Sequence, residues 1–124
     1  FDDTHAVFQE NPDIAGIIHF AAYKMVGESV INPLLYFENN LNSLINILKC
    51  AAEFNIPHFV FSSSCTVYGN PVEIPVTENT ALQPAASAYG YTKQMGEQIV
   101  QETANAYDIQ SVLLVHTLPT ISAK

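Results

Sequence analysis

His58-Phe59-Val60-Phe61-Ser62-Ser63-Ser64, residues 58 to 64, is an apolar run that turns polar at its end. Asn55-Ile56-Pro57 closes it off upstream. A short apolar run bounded by turn residues is the signal of a strand buried on both faces. Upstream, Asn39 to Phe54 carries Leu41, Leu44, Ile45, Leu48, Ala51 and Ala52 at spacings of three and four, which predicts a helix with one broad apolar stripe. Before it, Gly16-Ile17-Ile18-His19-Phe20-Ala21-Ala22 reads as another buried strand, and Gly27 to Phe37 as irregular to helical, with Pro33 suited to a first helical turn. Asp2 to Gln9 reads as the end of a helix and Asn11-Pro12-Asp13 as a loop.

Downstream, residues 69 to 86 hold Pro71, Pro75 and Pro84 and show no period, so they form a long loop, and loops of that length are usually functional. Ala88 to Tyr107 is a second long helix and Ser111 to Val115 a third strand. Strand, helix, strand, loop, helix, strand is a βαβαβ run. It predicts an α/β fold with a parallel sheet, right-handed crossovers and helices packed against the strands. Ligands of such sheets bind beyond the carboxyl ends of the strands. The first strand delivers Phe20 to Lys24 to that rim, the second delivers Ser62 to Ser64, and Tyr89 opens the helix after the loop.

Composition narrows the partners. The 124 residues carry a net charge of −8, with four basic residues, all lysine. Phosphate backbones need a basic stripe, so nucleic acid is not expected as a partner, nor is a membrane surface. The longest apolar runs are of strand length, too short to span a bilayer. Cys50 and Cys65 fit no metal spacing and read as reduced thiols of a cytoplasmic protein, so no metal is expected. The chain opens at Phe1 in helix-like sequence and reads as an excerpt of a longer protein.

Ser64, Tyr89 and Lys93 carry the chemistry. Tyr89 and Lys93 lie four apart on the second long helix and share a face. Bringing a tyrosine from its usual pKa of about 10 to about 7 takes roughly 4 kcal/mol in favour of the phenolate. One ammonium at about 4 to 5 Å, with an effective dielectric near 20, supplies roughly 3 to 4 kcal/mol of that. An oxidised nicotinamide adds a second positive charge, and a helix N-terminus favours the anion further. The serine hydroxyl can donate to, or accept from, a substrate oxygen whose charge changes. No histidine has a recognisable place beside Ser64 and no nucleophile elbow is present, which argues against hydrolysis by an activated serine. The set suits taking a proton from an alcohol while a hydride leaves the same carbon, that is, alcohol–ketone redox with a nicotinamide.

Three segments in chain order carry a resemblance. His19-Phe20-Ala21-Ala22-Tyr23-Lys24-Met25-Val26-Gly27-Glu28-Ser29-Val30, Phe61-Ser62-Ser63-Ser64-Cys65-Thr66-Val67-Tyr68-Gly69 and Tyr89-Gly90-Tyr91-Thr92-Lys93 resemble motifs of the UDP-glucose 4-epimerases, in the extended short-chain dehydrogenase/reductase superfamily. The similarity runs from about Asp13 to Tyr107. It implies a partial Rossmann-type doubly wound sheet, residues 1–124 being part of an NAD-binding domain, with the first strands, the Gly-rich loop and a C-terminal substrate domain missing. It also implies isomerisation in galactose metabolism. NAD-dependent inversion at carbon 4 would interconvert UDP-glucose and UDP-galactose through a 4-keto sugar.

In that scheme Tyr89 takes the 4-hydroxyl proton, Ser64 hydrogen-bonds the 4-oxygen, and Lys93 holds the nicotinamide ribose and tunes Tyr89. Cofactor contacts fall on Phe20, Ala21, Ala22, Lys24, Asn39, Ser62, Tyr89 and Lys93, and contacts to the UDP-hexose on Lys24, Ser64 and Tyr89. The resemblance further implies a homodimer through helices 39–54 and 88–107. Cys65 stands where related dehydratases have a carboxylate, which argues against dehydration. Epimerases of UDP-glucuronate or of N-acetylated UDP-hexoses share this core and stay open as alternatives. So does a non-catalytic remnant of the fold.

Plainer roles exist for several of these residues: strand-end serines that satisfy backbone groups, a packed His19, a surface Lys24, packing tyrosines at 68 and 91. The family's pattern is broken at three places. No Gly-x-x-Gly-x-x-Gly turn is present to hold a pyrophosphate. Ala88 replaces a common proline, and Val115-His116-Thr117-Leu118-Pro119-Thr120-Ile121 replaces a segment ending in Asn-Pro. The chain by itself is therefore expected to be inactive.

Overall fold

The computed structural model describes residues 1–115. Its elements run α1 (Asp2–Glu10), β1 (Ile17–His19), α2 (Val26–Ile31), α3 (Pro33–Glu53), β2 (His58–Ser62), a single 3₁₀ turn (Cys65–Tyr68), α4 (Ala88–Tyr107) and β3 (Gln110–Leu114). The departure beginning at Val115 lies, from His116 on, outside the described residues.

The three strands form a parallel sheet in the order β1-β2-β3, with Ile18 opposite Val60 and Val60 opposite Val112. Both crossovers step the same way along the sheet, so connections of one hand place α3 and α4 on one face. Burial follows. Phe59 and Phe61 point into a core with Leu44, Leu48 and Ala51 of α3, Val100 and Ala104 of α4 and Phe8 of α1. Full burial of one such phenylalanine contributes about 1.5 to 3 kcal/mol. On the alternate face Ile18, Val112 and Leu114 are exposed and Val60 is half-buried. The described residues thus supply the helix layer of one side of a Rossmann-type sheet.

Two helices stop for the same reason. Asn55 follows the C-cap of α3 and Asp108 caps α4, each with φ near +55°, a left-handed conformation that asparagine and aspartate tolerate. Ile56 and Ile109 then enter the core beside the strands they precede.

Three boundaries differ from expectation. α3 begins at Pro33 instead of Asn39, because proline fills the first helical position and Tyr36, Asn40, Leu44 and Leu48 already form one buried file four residues apart. β1 ends at His19, and Phe20 to Met25 leave the sheet as a loop. The 3₁₀ turn after β2 follows from Ser64, whose hydroxyl accepts the Thr66 N–H at its start.

Gly96 sets the depth at which α4 docks. A Cβ there would lie 2.7 Å from Phe61 Cζ and 3.3 Å from Leu44 Cδ2. Gly96→Ala is expected to lower stability by about 1 to 3 kcal/mol through overpacking. Urea denaturation checks this, and an unchanged midpoint would mean that α4 rides outward at no cost.

Candidate active site

Ser87 caps α4, its hydroxyl accepting the Gly90 N–H at 3.1 Å. That cap fixes Tyr89 in the first turn, where the helix dipole favours negative charge. Lys93, one turn later, is 5% exposed. Its Nζ donates to the Ser62 carbonyl oxygen at 2.6 Å and stands 4.8 Å from the Phe61 ring centre and 5.9 Å from that of Tyr89. Its hydrogen bond therefore runs to the end of β2, a partner not anticipated from the spacing to Tyr89. Burial pushes the Lys93 pKa down to about 8, and the Glu97 charge opposes the fall. Ser64, half-buried, uses an oxygen lone pair on Thr66 N–H, which leaves its own O–H free to donate.

The β1 loop meets this site through one residue. Asn40 of α3 accepts the Tyr23 N–H at 2.7 Å and donates to the Tyr23 carbonyl at 3.0 Å and to Thr92 Oγ1 at 3.1 Å. Thr92 in turn donates to the Tyr89 carbonyl at 2.7 Å. A buried amide thus ties the loop 20–25 to the turn of α4 that carries Tyr89. Of the residues expected at the cofactor, Ser62 is buried and lies against Lys93, while Phe20, Ala21 and Lys24 are exposed on the tethered loop. Ala22 is half-buried there, and Asn39, also half-buried, donates to Asn40 Oδ1 at 3.0 Å.

The loop 69–86 is closed at its base. Gln94 Nε2 donates to the carbonyls of Val67 and Gln83, each at 2.7 Å. Gly69, at φ +58°, lets the two ends meet, since a Cβ there would lie 2.4 Å from the Pro84 carbonyl oxygen. Asn40, Thr92 and Gln94 were missed in the sequence. Asn40 had a signal, being a polar residue on the buried file of α3. His19, buried and stacked on Phe59 and Phe61, is pushed down to about 4 by burial and by the Lys93 charge, so it packs as a neutral ring. Cys50 is buried and Cys65 half-buried, both as free thiols. Among the described residues no cluster of metal-ligating side chains occurs and no helix is long and apolar enough to cross a membrane.

The buried Lys93 thus joins the first turns of α4 to the end of β2. The model of the NAD dependent epimerase/dehydratase family matches residues 1–119. The chain belongs to this family. Among curated proteins of the NAD dependent epimerase/dehydratase family's kind, the UDP-glucose 4-epimerase of Streptococcus mutans is 45% identical over 108 residues, covering 87% of this chain and 32% of its own. That of Caenorhabditis elegans is 44% identical over 118 residues, covering 94% and 34%. The structure of the Bifidobacterium longum UDP-glucose 4-epimerase in complex with NAD+ and UDP superposes with a TM-score of 0.86 at 43% identity, covering 90% of this chain and 33% of that one. The chain spans about a third of the length of these relatives.

Proposed function

We propose that the chain is the central part of an NAD-dependent enzyme that inverts carbon 4 of a UDP-hexose, interconverting UDP-glucose and UDP-galactose. The observation that carries the reading is the Lys93 ammonium, one turn from Tyr89 and buried against the carbonyl of Ser62 at the end of β2. A lysine almost wholly withdrawn from water is a poor structural choice and a good functional one. Family membership, and relatives that are UDP-glucose 4-epimerases, support the substrate class.

The residues fit the nicotinamide–ribose end of NAD. An ammonium has three N–H donors and Ser62 takes one, which leaves donors for ribose hydroxyls. Bound NAD would supply a reversible hydride acceptor. Tyr89 would remove the proton of the 4-hydroxyl and return it after the 4-keto sugar has turned over. The Ser64 O–H would hold the 4-oxygen through both half-reactions, and Lys93 would keep its charge beside the tyrosine and the ribose. Phe20, Ala21, Ala22, Lys24 and Asn39 would line the cofactor from the tethered loop and α3, and Lys24 would also reach the sugar nucleotide.

Residues 1–124 are then part of an NAD-binding domain. A homodimer through helices 39–54 and 88–107 belongs to the same proposal, as does a cytoplasmic location. An apolar groove of about 530 Å³ between α3 and α4, lined by Ile45, Leu48, Ala52 and Ile99, supports the pairing surface. A non-catalytic remnant that keeps the centre of the fold is the second reading. A solved relative from Campylobacter jejuni, a UDP-Glc/GlcNAc 4-epimerase at 31% identity, favours N-acetylhexosamine as the alternative sugar. UDP-glucuronate is the other candidate.

The deciding experiment is to denature the purified chain, look for released NAD by mass spectrometry, and titrate NAD in parallel. Copurifying or saturable NAD is the expected result for a cofactor site that survives at the strand ends. A folded chain that binds none would mean that NAD needs parts of the protein that this chain does not span, and that the chain by itself is catalytically silent.

A further inference from the structure

Glu97 follows Lys93 by one turn on α4, as Lys93 follows Tyr89, so the three stand in one file facing the end of β2. Ser63, 1% exposed, donates its hydroxyl to Glu97 Oε1. Neighbouring residues of one strand end thus reach neighbouring turns of one helix. Ser62 meets the cation through its carbonyl, and Ser63 meets the anion through its hydroxyl. A carbonyl dipole and the Phe61 ring are weak compensation for an ammonium taken out of water. The Glu97 carboxylate supplies the opposite charge.

We propose that Glu97 is a positioning residue for the Tyr89–Lys93 pair: its carboxylate, anchored by the Ser63 hydroxyl, keeps Lys93 an ammonium ion at the buried strand end. Its purpose rests on the redox reading above; its physics does not. The titratable neighbours of Lys93 are Glu97 and Tyr89 on its own helix and His19 on β1. β2 contributes the Phe61 ring and the Ser62 carbonyl, and α3 reaches the same turn of α4 through the neutral amide of Asn40. Burial and Lys93 hold His19 down to about 4, so at neutral pH it is uncharged and cannot compensate the lysine. Burial draws Lys93 down to about 8, and Glu97 is the group that resists. Without that resistance the ammonium would lose its proton closer to neutral pH, and with it the charge that the tyrosine needs.

The test uses the whole chain, without NAD or sugar. Its four lysines, Lys24, Lys49, Lys93 and Lys124, give a small set of Cε signals in a chain labelled with ¹³C-lysine, and Lys93→Met assigns the one of interest. In the wild type that signal is expected to titrate near pH 8. Glu97→Gln keeps the shape and an acceptor for Ser63 but removes the charge, so the Lys93 midpoint moves to lower pH. Ser63→Ala frees the carboxylate and moves it the same way, while Glu97→Asp, which keeps the charge, restores it towards the wild-type value. A Lys93 midpoint identical in wild type and Glu97→Gln overturns the proposal. Should Glu97→Gln fail to fold, Ser63→Ala decides in its place, and an unmoved midpoint there overturns the proposal equally. The NAD titration described above tests the redox reading separately, so either can fail while the other stands.

Discussion

Tyr89→Phe is expected to lower kcat by about 10²- to 10⁴-fold, the usual contribution of a positioned general acid–base group, with a much smaller change in KM. The assay needs a complete enzyme. A chimera serves, in which residues 1–119 replace the matching third of the Streptococcus mutans UDP-glucose 4-epimerase, restoring the parts that this chain does not span. Phenylalanine preserves the ring that packs at the start of α4 and deletes only the oxygen. A fall in kcat with folding intact would therefore be a loss of proton transfer. Because Tyr89 sits in the first turn behind the Ser87 cap, its backbone is held by that cap and by Thr92 whatever its side chain does. Wild-type turnover in the Phe variant would remove Tyr89 from the chemistry and take the epimerase reading with it.

Lys93→Met is expected to separate stability from function. The wild-type lysine is held at about 8 in the fold, against 10.5 for its ordinary value. The unfolded chain therefore binds the Lys93 proton more tightly than the folded one. The stabilising contribution of Lys93 is full only above pH 10.5 and is lost as pH falls through about 8. Methionine does not titrate. Relative to wild type, Lys93→Met should gain roughly 3 kcal/mol between pH 10.5 and pH 8 and keep that gain at neutral pH. Groups remote from Lys93 titrate alike in both proteins and cancel in the difference, and His19, held at about 4 partly by the Lys93 charge, titrates below this pH window. Paired denaturation curves at pH 7 and pH 10.5 measure it directly, and a pH-independent difference would mean that burial does not act on Lys93 as the fold implies. In the chimera the same variant should lose turnover. A residue whose burial costs stability as pH falls to neutral, and whose loss silences the enzyme, is retained for its chemistry.

The fold was legible because each strand announces itself by a short apolar run and each long helix by a stripe. Where the stripe was broken, the reading stopped short. Asn40 interrupts the file from Tyr36 to Leu48, so the stripe alone predicts a start near Asn39 where α3 begins at Pro33, and the same residue is the clamp on Tyr23. A polar residue on a buried face obscures the boundary and marks the site in one stroke. The candidate site was legible as types and spacings. Lys93 does lie beside Ser62 and the Tyr89 ring, but the direction of its hydrogen bond was not legible. Spacing on a helix says which residues share a face. It does not say that a carbonyl on another element will capture the ammonium first. Gln94 and Glu97 were hidden for a similar reason, since their partners Val67, Gln83 and Ser63 are distant in sequence and carry no reciprocal motif.

The bare side of the sheet has a consequence for anyone handling the molecule. Ile18, Val112 and Leu114 meet water on a face whose central strand, β2, is apolar on both sides, and β1 and β3 are edges among the described residues. Parallel strands of this kind rarely face solvent. Concentrated in a tube, two copies have a matching way to hide that surface, sheet against sheet or edge against edge. The net charge of −8 opposes such contacts by mutual repulsion, and salt weakens that repulsion. Shelf life should thus depend on ionic strength, and the chain will keep longest in dilute, low-salt buffer well above its isoelectric point.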